Sequence, residues 1–275
     1  MGISHKTPCF GVYKFKPQRT CMRFPRPQWL LLASLFCLVA PAIAQPKPTV
    51  SRCYEIRIYY PAPGKFEAIV DRFRQYTTKL FEKHGMENIG YWTPTDTTRK
   101  ELIYILAFPN RAARDSSFAR FGNDPAWKAV VAKTEANGKL IDRIESIFMT
   151  ESDLSPVIKP VKNTPVRTFE LRTYTAQPGQ LPNLLARFRD HTRSLFTTHG
   201  MTQLGYWLTT ENAPTQPKLI YLLAHPSEAA GKQHFEKFRQ DPAWQTARAA
   251  SEKAGPLTLK IESVYLKPTD YSPMK

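Results

Sequence analysis

The sequence predicts an α+β fold written twice: two tandem ferredoxin-like βαββαβ domains packed sheet to sheet as an intrachain, dimeric α/β barrel. Two observations carry this. "HGMENIGYW" (84–92) returns as "HGMTQLGYW" (199–207) with its flanking segments in the same order, so a unit of domain size is repeated. Each copy also runs through strand-like and helix-like periodicity in the order strand, helix, strand, strand, helix, strand. A ferredoxin-like sheet carries both helices on one face and leaves the other bare, so two copies in one chain can cover each other.

The first strand is "CYEIRIYY" (53–60) in copy one and "TFELRTY" (168–174) in copy two. Alternation sends Tyr54, Ile56 and Ile58 to one face and Glu55, Arg57 and Tyr59 to the other; Phe169, Leu171, Thr173 and Glu170, Arg172, Tyr174 repeat the division. After Pro63-Gly64 or Pro178-Gly179 comes a helix. In copy one its apolar positions Phe66, Ile69, Val70, Phe73, Leu80 and Phe81 recur at three- and four-residue spacing, so one face is core. Gly85 and Gly200 stand where a left-handed cap would end that helix. His84 and His199 precede them, where an imidazolium meets the helix dipole favourably. "NIGYWT" or "QLGYWL", a polar turn, and "LIYILAF" (102–108) or "LIYLLAH" (219–225) read as a hairpin. A second helix, with Phe118 and Phe121 or Phe235 and Phe238, runs into "NDPAW" (123–127) or "QDPAW" (240–244), where proline interrupts and restarts it. "RIESIFM" (143–149) and "KIESVYL" (260–266) close the copies as strands. Domains are expected over 52–150 and 167–273, joined by a Pro-rich linker over 151–166 that is long enough to let the second copy swing round.

The chain has 275 residues and a formal charge of +16; residues 1–44 hold six Lys or Arg and no acid, which leaves +10 on the rest. The remaining basic residues alternate with acids along helices, as in "DRFRQYTTKLFEK" (71–83), and read as solvated faces. They are not interleaved with aromatics in one patch, which argues against nucleic acid. The segment from Met22 has the parts of a secretory signal peptide in order: a basic stretch, the apolar run "WLLLASLFCLVA" (29–40), and Ala42-Ile43-Ala44 before Gln45. The run is too short for a stable membrane span. The expectation is cleavage after Ala44, a true start at Met22, and a periplasmic or secreted product. Cys9, Cys21 and Cys37 fall in the segment removed, leaving Cys53, whose place at the opening of a strand favours burial.

No cluster of His, Cys, Asp or Glu has metal-ligand spacing, no Gly-rich phosphate loop follows a strand, and no nucleophile motif occurs, so neither a metal nor a cofactor is expected. What remains is the polar row of the first strand. Glu55, Arg57 and Tyr59, with Tyr104 and Glu145, are expected to line the barrel interior. Glu170, Arg172, Tyr174, Tyr221 and Glu262 would repeat the set from the other side. Buried charges are costly unless paired, by several kcal/mol per ion. The row is therefore either an internal salt-bridge network that fastens the two sheets or a polar pocket that orients a small ligand. The tryptophans of "GYW" and "DPAW" read as core or sheet-edge anchors. One asymmetry stands out, because His225 replaces Phe108 of copy one.

"YEIRIYY…PGKF", "LFEKHGMENIGYW", "LIYILAF", "DPAW" and "IESIFM", with their second-copy counterparts, resemble the NIPSNAP domain, which often occurs in duplicate and belongs to the dimeric α/β-barrel superfamily. The resemblance covers nearly all of residues 52–273. Eukaryotic members of that family are mitochondrial proteins linked to vesicle transport and mitophagy signalling, and the family brings no settled catalytic set. Related barrels include cofactor-free monooxygenases, haem-dependent peroxidases and small-molecule isomerases, so the resemblance implies a central cavity and no particular reaction. Two function classes remain: a small-molecule binder or enzyme using a polar barrel cavity, or an exported interaction protein using the outer surface. Neither uses a metal or a cofactor, and the pseudo-dimer is internal to the chain, with room for further oligomerisation.

Overall fold

A computed structural model describes residues 52–159, 165–211 and 217–275. The expected leader over 1–44, with its cleavage site after Ala44, lies outside the described residues, as does the middle of the 151–166 linker. Copy one runs β1 (Cys53–Pro61), α1 (Phe66–Arg72), a π-helical turn (Phe73–Thr77), α2 (Thr78–Lys83), β2 (Glu87–Pro94), β3 (Leu102–Phe108), α3 (Arg111–Asn123), α4 (Pro125–Thr134) and β4 (Ile141–Glu151). Copy two repeats it as β5 (Thr168–Ala176), α5 (Leu181–Arg187), a π-helical turn (Phe188–Thr192), α6 (Arg193–Thr198), β6 (Thr202–Thr209), β7 (Lys218–His225), α7 (Glu228–Gln240), α8 (Pro242–Ser251) and β8 (Thr258–Pro268).

All strand pairings are antiparallel and close an eight-stranded barrel in the order β1-β3-β2-β8-β5-β7-β6-β4. Within each copy this is the ferredoxin-like order. The copies are joined at two seams, Trp92–Pro94 of β2 against Leu266–Pro268 of β8 and Met149–Glu151 of β4 against Trp207–Thr209 of β6. Gly85 and Gly200 take φ of 77° and 79° and end the first helix of each copy as expected. His84 and His199 then reach across rather than cap: their Nε2 atoms lie 2.7 and 2.8 Å from Oδ2 of Asp124 and Asp241. Those aspartates cap α4 and α8 through their other oxygens, with Pro125 and Pro242 at the first helical turn.

The barrel interior is apolar and shared by both copies. Tyr54, Ile56, Ile103, Ile105 and Trp92 pack in one cluster with Phe169, Leu171, Ile220, Leu222 and Trp207. Trp92 meets Phe169 at 5.5 Å between ring centroids, and Trp207 meets Tyr54 at 5.8 Å. A Cβ on Gly90 would run into the Trp92 ring, and one on Gly205 would lie 2.5 Å from the Trp207 ring. The repeated "GYW" is thus a packing device: the glycine opens the space over which the indole folds back.

This arrangement corrects the expected orientation of the first strand. Tyr54, Ile56 and Ile58 face the interior, whereas Glu55, Arg57 and Tyr59 face the helices, and Glu170, Arg172 and Tyr174 do the same in copy two. Tyr104 and Tyr221 accompany them on the helix side. Glu145 and Glu262 do not join the charged row. They are in register with Ile58 and Thr173, on the other face of the sheet from that row, with side chains 42% and 48% exposed, paired with Arg143 and Lys260. The physical reason is partner supply: Arg57 and Arg172 pair with Glu55 and Glu170 along their own strands, and a further side chain, Arg114 of α3 in copy one and His225 of β7 in copy two, takes the second oxygen. Among the described residues, packed hydrophobic side chains occupy the interior where the family resemblance implies a cavity.

Candidate functional site

The charged row occupies the layer between sheet and helices. In copy one, Arg57 on β1 donates from Nη1 to Glu55 Oε1 at 2.6 Å, from Nε to the Tyr104 hydroxyl at 3.0 Å, and from Nη2 to the Tyr59 hydroxyl at 3.5 Å. Arg114 on α3 donates to both oxygens of Glu55, at 2.7 and 2.8 Å, and Ser146 on β4 adds a bond at 2.5 Å. Glu55 is fully buried and fully satisfied. Burial works to raise its pKa, but the bonds from Arg114, Arg57 and Ser146 outweigh this and hold it below the ordinary carboxylate range.

Copy two keeps the strand part and changes the helix part. Arg172 donates to Glu170 at 2.6 Å, to the Tyr221 hydroxyl at 3.0 Å and to the Tyr174 hydroxyl at 3.3 Å, and Ser263 donates to Glu170 at 2.5 Å. At the position of Arg114 stands Gly231, and at the position of Phe108 stands His225. His225 Nε2 lies 3.1 Å from Glu170 Oε2 and so takes over the second oxygen, while its Nδ1 lies 3.4 Å from Nδ1 of His234. Burial opposes the Glu170 charge here too, and the bonds from His225, Arg172 and Ser263 outweigh it, leaving its pKa below the ordinary value. Burial, His225, Lys237 and His199 together push His234 down.

The first helix of each copy contributes through its π-helical turn, which widens the helix by one residue and realigns the side chains around it. In copy two, Thr192 closes the turn by donating its hydroxyl to the Arg187 carbonyl at 3.2 Å. Arg187 is thereby turned inward, only 5% exposed. Its Nη1 donates to Glu252 at 2.7 Å, its guanidinium lies 5.2 Å from the Trp244 ring centroid, and its Nε has no acceptor. Copy one repeats this with Arg72, Glu135 at 2.7 Å and Trp127 at 5.3 Å.

In copy two the layer opens into a cavity of about 180 Å3. Arg172 and Arg187 line its buried part with Phe188, Phe196, Phe235 and Phe238; Trp244, Arg239 and Arg248 line it further out. The Arg239 and Arg248 side chains are 58% and 63% exposed, so they form the rim. Burial works against the Arg172 charge, but Tyr221, Tyr174 and Glu170 more than offset it and hold its pKa above the ordinary arginine value.

The sequence correctly brought Glu55, Arg57, Tyr59 and Tyr104 together, and likewise Glu170, Arg172, Tyr174 and Tyr221. It missed Arg114, Ser146, Ser263 and Arg187, which come from elements whose inward positions periodicity alone did not reveal. Cys53 is buried as expected, and burial pushes its thiol pKa up, away from nucleophile chemistry. Among the described residues no group of His, Cys, Asp and Glu could hold a metal ion, and no helix is long and apolar enough to cross a membrane.

Two ferredoxin-like repeats closed into one α/β barrel, each with an arginine–carboxylate layer under its helices, define a tandem barrel protein. The chain belongs to the NIPSNAP family, whose model matches residues 54–156 and 169–273. A protein named for the NipSnap family from Caenorhabditis elegans is 24% identical over 227 residues, which cover 81% of this chain and 40% of that protein. Among solved structures, a candidate monooxygenase from Fusobacterium nucleatum matches with a TM-score of 0.54 at 11% identity, covering 80% of this chain and 93% of the other. One from Lactobacillus acidophilus matches with a TM-score of 0.51 at 11% identity, covering 79% and 94%. At that identity the likeness shows the fold.

Proposed function

We propose that this is an exported NIPSNAP-domain protein that binds a small molecule in the helix–sheet cavity of copy two. The carrying observation is that Arg172 and Arg187, both largely removed from water, line one cavity together with four phenylalanines. Ligand sites combine a mostly apolar wall with a few placed polar groups, and this cavity has that composition. Export rests on the ordered basic, apolar and A-x-A segments before Gln45. A fragment screen read by thermal shift tests the binding claim: a true ligand at 100 times its Kd stabilises the fold by about 2.7 kcal/mol. A screen without hits, beside a crystal structure with the cavity collapsed, would count against it. N-terminal sequencing of the exported product should begin at Gln45, and a cytoplasmic product retaining Met1 would refute export.

A second reading, interaction through the outer surface, is favoured by one feature. β4 and β8 pair with the other copy only through their last residues, and their outer halves carry Ile144, Leu259 and Ile261, 41%, 50% and 49% exposed. An uncovered strand edge with apolar side chains is a template for strand addition. Ile261→Lys should then abolish any self-association seen by light scattering.

A further inference from the structure

This inference rests on the cavity reading above and names the ligand's chemistry. We propose that the copy two cavity takes a compact, single-ring organic carboxylate, its anionic group held by arginine and its body held by the aromatic wall.

Charge gives the sign of the ligand. Four guanidiniums, of Arg172, Arg187, Arg239 and Arg248, line the cavity against one carboxylate, Glu252. Glu252 is already shared between Arg187 at 2.7 Å and Arg248 at 3.0 Å, Glu170 is engaged by Arg172, and Arg239 pairs with Glu236 at 2.6 Å, so three carboxylates face four guanidiniums. The surplus is one positive charge, and the apolar wall around the buried part of the cavity strengthens it. Arg187 also has a buried Nε without an acceptor, a feature it shares with Arg72 of copy one but which in copy two borders the cavity, and arginine's fork of donors matches a carboxylate in geometry.

Volume gives the size. A dry cavity of about 150 Å3 in another protein holds benzene, so about 180 Å3 here has room for one ring and its carboxylate.

Comparison of the copies separates scaffold from specificity. Arg72, Trp127 and Glu135 reproduce Arg187, Trp244 and Glu252, so that trio belongs to the fold. The rim does not repeat. Counting along the equal-length helices α3 and α7, then α4 and α8, Gly122 stands where Arg239 is and Val131 where Arg248 is. The same fold forms without the rim arginines; in copy two each also pairs along its helix, Arg239 with Glu236 and Arg248 with Glu252, and both side chains reach the cavity mouth where an anionic group would enter.

The test uses the purified protein and fluorine NMR of 4-fluorobenzoate and its neutral analogue 4-fluorobenzamide. The benzoate resonance should broaden, with a Kd at least about tenfold tighter than that of the benzamide. An Arg239→Gly/Arg248→Val variant, altered only at exposed positions and checked for an unchanged melting profile, should lose at least about tenfold in benzoate affinity. Inorganic phosphate should not displace the benzoate. Equal binding of both probes would overturn the carboxylate preference and leave small-molecule binding standing. Benzoate binding that is unaffected in the double variant, or displaced by phosphate, would overturn the proposal as well. If neither probe binds and a neutral fragment set also fails, the cavity reading falls with it.

Discussion

His225 Nε2 lies 3.1 Å from Glu170 Oε2, and in the other copy the equivalent oxygen of Glu55 is held by Arg114 Nε at 2.7 Å. The partner of that oxygen has moved from a helix to a strand. A Cβ on Gly231 would sit 2.8 Å from the Tyr265 ring and 2.9 Å from His225, so α7 carries glycine where those two rings fill the space that the arginine occupies in copy one. The two substitutions are one exchange.

Gly231→Arg by itself should therefore destabilise by about 1–3 kcal/mol through overpacking. His225→Phe by itself should cost about 1–3 kcal/mol by stranding one oxygen of Glu170. The double variant rebuilds the copy one arrangement, so its loss should fall at least about 1 kcal/mol short of the sum. Denaturant melts of the four proteins measure this. Strict additivity would show that the residues do not substitute for each other.

Arg172→Met should cost about 3–5 kcal/mol, the range for breaking a buried pair. Arg57→Met should cost less, because Glu55 retains both bonds from Arg114 whereas Glu170 retains no second arginine. The reverse order in denaturant melts would contradict this view of how the two carboxylates are held.

Acid should remove the contribution of both carboxylates. Glu55 and Glu170 have folded-state pKa values below the ordinary one, so the unfolded chain takes up their protons first as pH falls. Their stabilisation is present above the unfolded value of about 4.3 and is lost as pH drops through the lowered folded values. The Tm should fall steeply below about pH 4.5. A Glu55→Gln/Glu170→Gln variant should begin less stable at pH 7 and fall less steeply. Parallel acid limbs in calorimetry would place the titration elsewhere.

The repeat, the element order and the pairing of Glu55 with Arg57 and of Glu170 with Arg172 were legible because they depend on local periodicity. The direction of the row was not. In a closed barrel both faces of β1 are covered, one by a sheet and one by helices, so alternation between Tyr54 and Glu55 divides the faces without saying which layer each meets. The discriminating signal lay between the copies. Phe108 becomes His225 and Arg114 becomes Gly231, and a change of counter-charge on the second helix makes sense only if that helix covers the glutamate. Arg187 was hidden for another reason: the π-helical turn shifts the register of the first helix, so a spacing of 3.6 residues misassigns the faces on either side of the turn.

The same packing predicts how the halves behave apart. Ile56, Ile103, Ile105 and Trp92 are at most 1% exposed only because Phe169, Ile220, Leu222 and Trp207 of the other copy cover them. A separated half would expose this face, far more contiguous apolar surface than a soluble monomer tolerates. Residues 52–159 alone should therefore self-associate, using a second copy of themselves where copy two was. Residues 165–275 should do the same, with Phe169, Leu171 and Trp207 as the contact face. Mixed in equal amounts, the halves should prefer each other, since Trp92 against Phe169 and Tyr54 against Trp207 are contacts between unlike copies. Covalent connection of the copies then acts by raising their effective concentration. Light scattering on each half and on the mixture reads the outcome directly. A half that stays monomeric and melts cooperatively would mean that each sheet satisfies its own inner face, and the interior assigned to the barrel would not be what holds the two copies together.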